Sequence, residues 1–299
     1  MYDICTIGHI TLDKVVTDQA VRYMPGGTSF YFSKALRQFD IAYALVTAVA
    51  ETEQYIVTDI REQDQQKVFA LPSRHTVYFE NIYMSNQDHR DQNVHYTADP
   101  FTVELMPAIQ AKIFHLGPLL ADDFSNDLVL SLSKHGRLSL DIQGYLRYVH
   151  NKKVHYRDWV DKKSLLPHIS ILKANELEME VITGQADVKQ GARYLADWGV
   201  EEVIITLGSK GSLVYTGGDF HLIPAFEPVA VVDATGCGDT YMAGYLFQRV
   251  QGASIQQAGE FGAAMATLKL EHAGPYTAGP TGVSQVLSQE TVRSKIYPE

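Results

Sequence analysis

The stretch that most limits what this chain can fold into runs from residue 231 to residue 245. A short β-branched apolar run ends at Asp233, a turn of small residues follows, and helical spacing of apolar side chains begins near Asp239. Gly236 and Gly238 carry no Cβ, so the backbone of this turn can approach a ligand closely. The first amides of the helix lack intrahelical acceptors and point outward, which predicts an anion site.

Asp239 falls on the first turn of this predicted helix, beside the amides that would hold the anion. A phosphate cradle with an adjacent carboxylate suits phosphoryl transfer to an alcohol. The amides stabilise charge on the transferred group, and the carboxylate accepts the hydroxyl proton. The alternative interpretation is an ordinary strand-to-helix turn with Asp239 as a solvated acid, and a short glycine motif alone would favour it.

The flanking residues favour the interpretation as an anion site with a catalytic carboxylate. The run from Asp233 to Gly244 resembles the C-terminal signature of the ribokinase (pfkB) family of carbohydrate kinases. The resemblance implies that Asp239 is the catalytic base. It implies that the small residues before this base form the anion hole: Gly236, Cys237 and Gly238. Cys237 stands where Ala or Ser is common in the family, a change that removes neither the amides nor the base.

Composition is that of an ordinary globular protein, with 45% hydrophobic and 20% charged residues in a chain of 299. Because the formal charge is -10, we expect neither nucleic acid nor an anionic membrane surface as a partner. No apolar run has membrane-spanning length, and the first residues predict a strand rather than a signal peptide. Cys5 and Cys237 fall on a strand and in the predicted anion hole, which argues against a disulfide and favours a cytoplasmic location.

Asp13 and a double glycine are the first candidates for binding the acceptor. Asp13 follows the predicted strand Ile4–Gly8, and ligands of open α/β sheets bind at the carboxyl ends of strands. The family has a sugar-binding Asp at this offset, so the resemblance favours that role over an exposed loop acid. Gly26 and Gly27 match the family's N-terminal Gly-Gly motif, which packs against the acceptor. Since Tyr31 stands where ribokinases usually have Asn, the identity of the sugar stays open.

Strand-like segments at about residues 12–25 and 70–99 match the place of the family's lid, a small sheet that covers the acceptor and excludes water. The alternative is a surface hairpin that packs on a neighbouring subunit. Both interpretations can hold, because lids in this family often form dimer contacts. The resemblance therefore admits a homodimer formed through the lid.

A polar stretch after a later predicted strand supplies further candidates. Asp141 and Gln143 leave the sheet edge where they could meet acceptor or phosphate, and Arg147 could clamp a phosphate. The stretch resembles the corresponding one in plant-type inositol kinases of the same family. A plain polar loop is about as good an interpretation.

Two further motifs concern the phosphate donor. The spacing of Asn175 and Glu178 matches the family's Asn-x-x-Glu motif, whose Glu acts through Mg²⁺ and its water. Carboxylate and water oxygens suit Mg²⁺, although an Asn N-cap followed by first-turn acids is the simpler alternative. Downstream, a strand, a glycine turn and a second strand resemble the family's nucleotide-binding loop. That resemblance implies ATP contacts from Thr206, Gly208 and Gly211.

Strands and helices alternate along nearly the whole chain, which independently predicts a doubly wound, mostly parallel α/β sheet. We expect a single ribokinase-like domain over residues 1–299 with a small β lid. The resemblance implies an ATP- and Mg²⁺-dependent kinase acting on a hydroxyl of a small polyol, a sugar or cyclitol. It also admits a monovalent cation as a further cofactor. A nucleoside or sugar-phosphate kinase of the same family, and a non-catalytic ligand-binding relative, stay open as alternatives.

The thiol of Cys237 raises a separate question, because it lies between two glycines at a predicted helix N-terminus. The helix dipole and bare amides predict a lowered thiol pKa and a reactive thiolate that bound ATP would protect. Burial opposes the dipole, so an inert small filler is an equal alternative.

Overall fold

The computed structural model describes residues 1–16, 20–63, 67–83 and 90–288, which form two β-sheets with helices on both faces of the larger one. The described strands, in chain order, are β1 Tyr2–Ile7, β2 Thr11–Val16, β3 Val21–Gly26, β4 Tyr43–Val49, β5 Lys67–Pro72, β6 Val77–Tyr83, β7 Arg90–Tyr96, β8 Ala111–Leu116, β9 Arg137–Asp141, β10 Arg147–His150, β11 Lys153–Tyr156, β12 Ile171–Asn175, β13 Glu202–Thr206, β14 Ser212–Thr216 and β15 Asp219–Ile223. The described α-helices are α1 Thr28–Leu36, α2 Gln54–Gln63, α3 Asn126–Leu132, α4 Lys162–Leu165, α5 Glu176–Thr183, α6 Val188–Asp197, α7 Cys237–Val250, α8 Ile255–Leu270 and α9 Pro280–Ser288. The domain limit expected at residue 299 lies outside the described residues.

The large sheet has the strand order β15-β14-β13-β12-β9-β8-β1-β4-β5. Every neighbouring pair from β13 to β5 is parallel, and the two antiparallel pairs, β13–β14 and β14–β15, lie at one edge. The predicted doubly wound, mostly parallel α/β sheet is therefore confirmed. None of the described helices has the length and apolar character needed to cross a bilayer.

Buried apolar runs explain why the central strands form. Every residue of β4 is buried, as expected for a parallel strand covered on both faces. Successive side chains of a strand point to opposite faces, so neighbouring residues of β12 enter different cores. Leu172 joins a core that includes α5 and α6, and Ile171 joins a core that includes α1, α7 and α8. This arrangement brings the carboxyl ends of the parallel strands to one edge, where the candidate site lies.

The small sheet has the order β10-β11-β7-β6-β2-β3 and contains the predicted lid strands. One part of the predicted lid range is wrong: β5 pairs in parallel with β4 and is the edge strand of the large sheet. The small sheet also gains the β10–β11 hairpin, which the sequence did not predict. Its turn residues Asn151 and Lys152 both have positive φ, at 49° and 63°, which suits the twist of a tight hairpin.

The β-branched run before the glycine turn does not form the predicted strand. Val231 and Val232 are 74% and 55% exposed, and the amide of Val232 donates to Leu270 O at 2.9 Å. The run is therefore attached to the end of α8 instead of to a sheet. The predicted helix does follow, with Gly236 as its N-cap.

Candidate active site

Two cavities meet at the N-terminus of α7. The larger one has a volume of 510 Å³ and a mostly apolar lining, and the smaller one has a volume of 250 Å³ and a more polar lining. Ala234 and Gly238 line both cavities. A ligand in one cavity therefore comes within reach of a ligand in the other across this helix end.

The turn that begins α7 depends on glycine. Gly236 has φ of 78°, and a Cβ there would collide with the ring of Tyr31. The amide of Cys237 donates to Ala234 O at 3.2 Å, so it is used within the turn, contrary to its predicted place in the anion hole. Gly238 and Asp239 follow in the first helical turn, where amides have no intrahelical acceptor. The helix end thus keeps the amides and the dipole needed to hold an anion.

Asp239 lines the smaller cavity and is hydrogen-bonded to the side chain of Thr28. Thr28 is the first residue of α1, whose N-cap Gly27 has φ of 90°, so two helix N-termini converge on this carboxylate. Burial and the nearby charge of Asp141 raise the pKa of Asp239 to about 7, against the opposing effect of Lys173. A carboxyl that titrates near neutral pH is suited to accept a proton.

Lys173 is a buried cation that the sequence analysis missed. Its Nζ lies 3.0 Å from Asp141 Oδ2 and 3.2 Å from where a Cβ of Gly238 would stand. Burial lowers the pKa of Lys173, but the carboxylates of Asp141, Glu178 and Asp239 outweigh this effect and raise it. Lys173 is therefore a protonated ammonium beside the N-terminus of α7. A single lysine in the otherwise apolar run of β12 was the available signal.

Arg147 is a second cation at the smaller cavity. Only 8% of its surface is exposed, and its Nε has no hydrogen-bond partner among the described residues. Burying an unpaired guanidinium nitrogen is costly, so the geometry suits an anionic ligand at this wall. This agrees with the phosphate-clamp hypothesis for Arg147.

The lid supplies polar groups to the smaller cavity. Asp13 lines it and accepts a hydrogen bond from Thr11 Oγ1 at 2.7 Å. Gln92, which the sequence analysis did not single out, also lines the cavity and donates to Asn81 Oδ1 at 2.9 Å. Gly26 lies behind this wall, since a Cβ there would stand 2.5 Å from Asp13 Oδ2. Its role is therefore to make room for the carboxylate.

The remaining predicted acceptor residues also line the smaller cavity: Gly27, Asp141 and Gln143. The amide of Gln143 donates to Asp141 Oδ1 at 3.2 Å, while the other oxygen of Asp141 holds Lys173. Asp141 is thus occupied on both oxygens and fixes its neighbours.

The larger cavity contains the predicted nucleotide residues Thr206, Gly208 and Gly211. Gly211 has φ of 98°, and a Cβ there would collide with Ile223 O. Small residues of α8 form the facing wall, among them Ala263 and Ala266. A flat apolar group therefore has space between this loop and α8.

Asn175 and Glu178 form a reciprocal capping box at the start of α5. Glu178 Oε2 accepts from the amide of Asn175, and Asn175 Oδ1 accepts from the amide of Glu178, both at 2.8 Å. The helix-cap alternative is therefore realised, and neither residue is among those that line the two cavities. Glu178 is nevertheless fully buried with Oε1 unpartnered among the described residues.

Glu178 Oε1, the carboxylate oxygen without a partner among the described residues, is a candidate contact for hydrated Mg²⁺. The described residues contain no group of three or more His, Cys, Asp or Glu able to hold a metal by themselves. Mg²⁺ commonly keeps several waters and uses one or two carboxylates beside substrate phosphates. A single free carboxylate oxygen near Lys173 fits that mode of binding.

The thiol of Cys237 does not behave as the dipole argument predicts. Burial raises its pKa to about 11, although the charge of Lys269 opposes this effect. Its Sγ lies 3.7 Å from Ala266 O, toward α8. The prediction of a lowered thiol pKa is wrong, because burial outweighs the dipole.

These features define an α/β protein with two cavities that adjoin at a helix N-terminus. The family model of the pfkB family carbohydrate kinases matches residues 89–282. The chain belongs to this family, and its fold is the ribokinase-like fold.

Individual relatives agree with this assignment. The chain is 28% identical over 269 residues to a cytidine kinase of Thermococcus kodakarensis, covering 86% of this chain and 92% of that protein. It is also similar to a pyrophosphate-dependent kinase in the ribokinase family, solved with a pyrophosphate analogue and myo-inositol. That similarity has a TM-score of 0.84 and 29% identity and covers 92% of this chain and 97% of the other. A ribokinase of Arabidopsis thaliana, solved with ribose and ATP, shares the fold with a TM-score of 0.79 at 18% identity. The match covers 97% of this chain and 99% of the ribokinase chain.

Proposed function

We propose that the protein is an ATP- and Mg²⁺-dependent kinase that phosphorylates a hydroxyl group of a small polyol, a sugar or cyclitol. The observation that carries the proposal is the position of Asp239 where the two cavities meet. The carboxylate lines the smaller cavity, and the adjacent Gly238 lines both. An acceptor hydroxyl in the smaller cavity and a donor phosphate at the N-terminus of α7 would therefore meet beside this carboxylate.

The chemistry follows from these positions. Asp239 accepts the proton of the acceptor hydroxyl while that oxygen forms a bond to the terminal phosphorus of ATP. The bond from this phosphorus to the bridging oxygen breaks, and ADP leaves with the electron pair. The amides of α7 and the charges of Lys173 and Arg147 offset the negative charge on the transferred group. Bound Mg²⁺ would neutralise donor phosphate charge, with Glu178 as the carboxylate near its waters.

The size and chemistry of the smaller cavity support a neutral polyol as acceptor. Its volume of 250 Å³ is below that of a typical drug-sized site. Asp13, Gln92 and Gln143 present oxygen and amide groups suited to several hydroxyls. The carboxylate of Asp13 would repel the phosphate group of an acceptor that is already phosphorylated, such as a sugar phosphate. The similar kinase solved with myo-inositol makes a cyclitol the first acceptor to test.

The larger cavity supports ATP as the donor. Its 510 Å³ and apolar walls can hold a nucleoside next to the phosphate site. A second candidate donor is pyrophosphate, because Lys173 and Arg147 supply the charge that a donor without a nucleoside requires. The similar pyrophosphate-dependent kinase favours the same test.

A crossed assay separates these possibilities. ATP and pyrophosphate are each combined with myo-inositol, ribose, fructose and ribonucleosides, and the phosphorylated product is measured. Ala266→Phe, which would fill the larger cavity, should raise the KM for ATP by about tenfold or more and leave any reaction with pyrophosphate unchanged. Turnover with pyrophosphate alone would support the second donor. A folded protein that forms no product from any combination would contradict the proposed function.

A further inference from the structure

Lys269 is a buried cation that the proposed reaction does not use directly. It lies on α8, and its side chain has 0% exposure. Lysine is almost never fully buried unless it is paired. Its Nζ donates to Asp233 O at 2.8 Å, to Asp233 Oδ2 at 3.0 Å and to His272 O at 3.3 Å. The ammonium is therefore surrounded by two carbonyl oxygens and one carboxylate oxygen.

These oxygens belong to the turn that sets up α7. Asp233 Oδ1 accepts from the amide of Thr235 at 2.9 Å, and Asp233 Oδ2 accepts from the amide of Gly274 at 3.2 Å. One carboxylate thus joins the turn before Gly236 to the segment after α8, and Lys269 joins the same two segments through His272. Burial raises the pKa of Asp233, but the hydrogen bonds from Thr235 and Lys269 outweigh it and hold the pKa below its ordinary value.

The contacts of Lys269 determine whether the monovalent cation that the family resemblance admits can bind at this turn. A dissociable cation that ordered this turn through Asp233 would have to contact Asp233 O and Asp233 Oδ2, the two oxygens of Asp233 that already contact an ammonium group. Lys269 already holds both, and an ammonium group resembles K⁺ in charge and in the length of its contacts with oxygen. A monovalent cation therefore does not fit at these oxygens.

We propose that Lys269 is a built-in substitute for a monovalent cation. It is a positioning residue: it acts through Asp233 and Thr235 on the turn at Gly236 and touches neither substrate. Phosphoryl transfer by the wild-type protein is then independent of added K⁺. This inference rests on the proposed kinase function for its activity readout alone.

The test uses three proteins, each assayed with Mg²⁺ in buffers whose only added monovalent cation is K⁺, NH₄⁺, Li⁺ or tetramethylammonium. The wild type should show turnover that changes by less than a few fold among these salts. Lys269→Ala leaves the oxygens open, so its turnover should fall by about 100-fold in tetramethylammonium and recover by about tenfold or more in K⁺ or NH₄⁺. Lys269→Met fills the same space without charge, and it should lose turnover with no recovery in any salt.

Thermal unfolding provides a second readout that does not need activity. The Tm of Lys269→Ala should rise in K⁺ relative to tetramethylammonium, and the Tm of the wild type and of Lys269→Met should not. Strong K⁺ activation of the wild type would overturn the inference, as would equal salt responses of the Ala and Met variants. If Lys269→Ala does not fold in any salt, the wild-type salt response alone decides. Absence of transfer in the wild type would contradict the kinase function, and the unfolding data would still test Lys269.

Discussion

Lys173 Nζ lies 3.0 Å from Asp141 Oδ2, and the two side chains are only 7% and 4% exposed on the neighbouring strands β12 and β9. Taking both charges out of water costs free energy that their attraction does not reliably return, so such a pair is weak evidence for stability. Its position against Gly238 suggests another reason for it. We interpret Lys173, held in place by Asp141, as a fixed positive charge beside the proposed phosphate site.

Lys173→Met should lose turnover because it removes this charge. We expect kcat to fall by about 100-fold or more, the scale of losing one preorganised electrostatic group. Unfolding should become easier by about 3–5 kcal/mol, because Asp141 is left as an unpaired buried charge. The double variant with Asp141→Asn should regain much of the stability without regaining kcat. Near wild-type turnover in either variant would contradict the interpretation.

The contrast between Lys173 and Asp239 indicates what the sequence could predict. The glycine turn and the proposed base Asp239 are contiguous, so local rules for helix starts locate them together. Lys173 and Asp141 are 32 residues apart, and they meet because β12 and β9 are neighbours in the sheet. Strand order is set by the packing of the whole domain. The sequence therefore indicates an isolated lysine in β12 but does not indicate that Asp141 is its partner.

Three other features were missed or wrongly predicted, because local sequence preferences did not decide them. The β10–β11 hairpin was not predicted because its turn is Asn151-Lys152, whereas the strongest hairpin signal has glycine after asparagine. The run Val231–Val232 has strand-forming residues, but its amide bonds to α8 instead. For Cys237, the sequence suggested two opposed effects on the thiol pKa without their sizes. The depth of burial decided between them.

Asp239→Asn should fold and bind ATP, since the side chains are nearly isosteric, and lose turnover by about 100-fold or more. A carboxyl that acts as the base must be ionised, and the pKa of Asp239 is raised to about 7. The plot of kcat/KM against pH should therefore rise up to about pH 7 and level off above it. A flat profile between pH 5 and about 9 would exclude this carboxyl as the base.

The raised pKa of Asp239 also predicts a change in stability. Between its ordinary pKa of 3.8 and the folded value of about 7, the folded protein keeps a proton that the unfolded chain has lost. This group therefore lowers stability as pH rises through that window, and the full penalty is present above it. Asp239→Asn removes the penalty, so its Tm should exceed that of the wild type at pH 8 and approach it near pH 4. Equal Tm differences at both pH values would contradict this origin.

Glu178→Gln keeps the capping geometry, because an amide oxygen can still accept from Asn175. It removes the charge that would face a hydrated Mg²⁺. We expect a higher Mg²⁺ concentration for half-maximal rate, with little change in acceptor KM or in Tm. If acceptor KM alone changes, Glu178 acts on the acceptor and the motif has been misassigned.

Cys237 should react slowly with alkylating reagents. Its pKa of about 11 leaves very little thiolate at neutral pH, since the thiolate is the reactive form. We expect alkylation at least about 100-fold slower than that of an unperturbed thiol, with the rate increasing as pH rises. Cys237→Ala should keep turnover within a few fold of the wild type and serves as the control for reaction at Cys5. Fast modification of the wild type that ATP prevents, absent from Cys237→Ala, would show that the helix dipole controls the thiol after all.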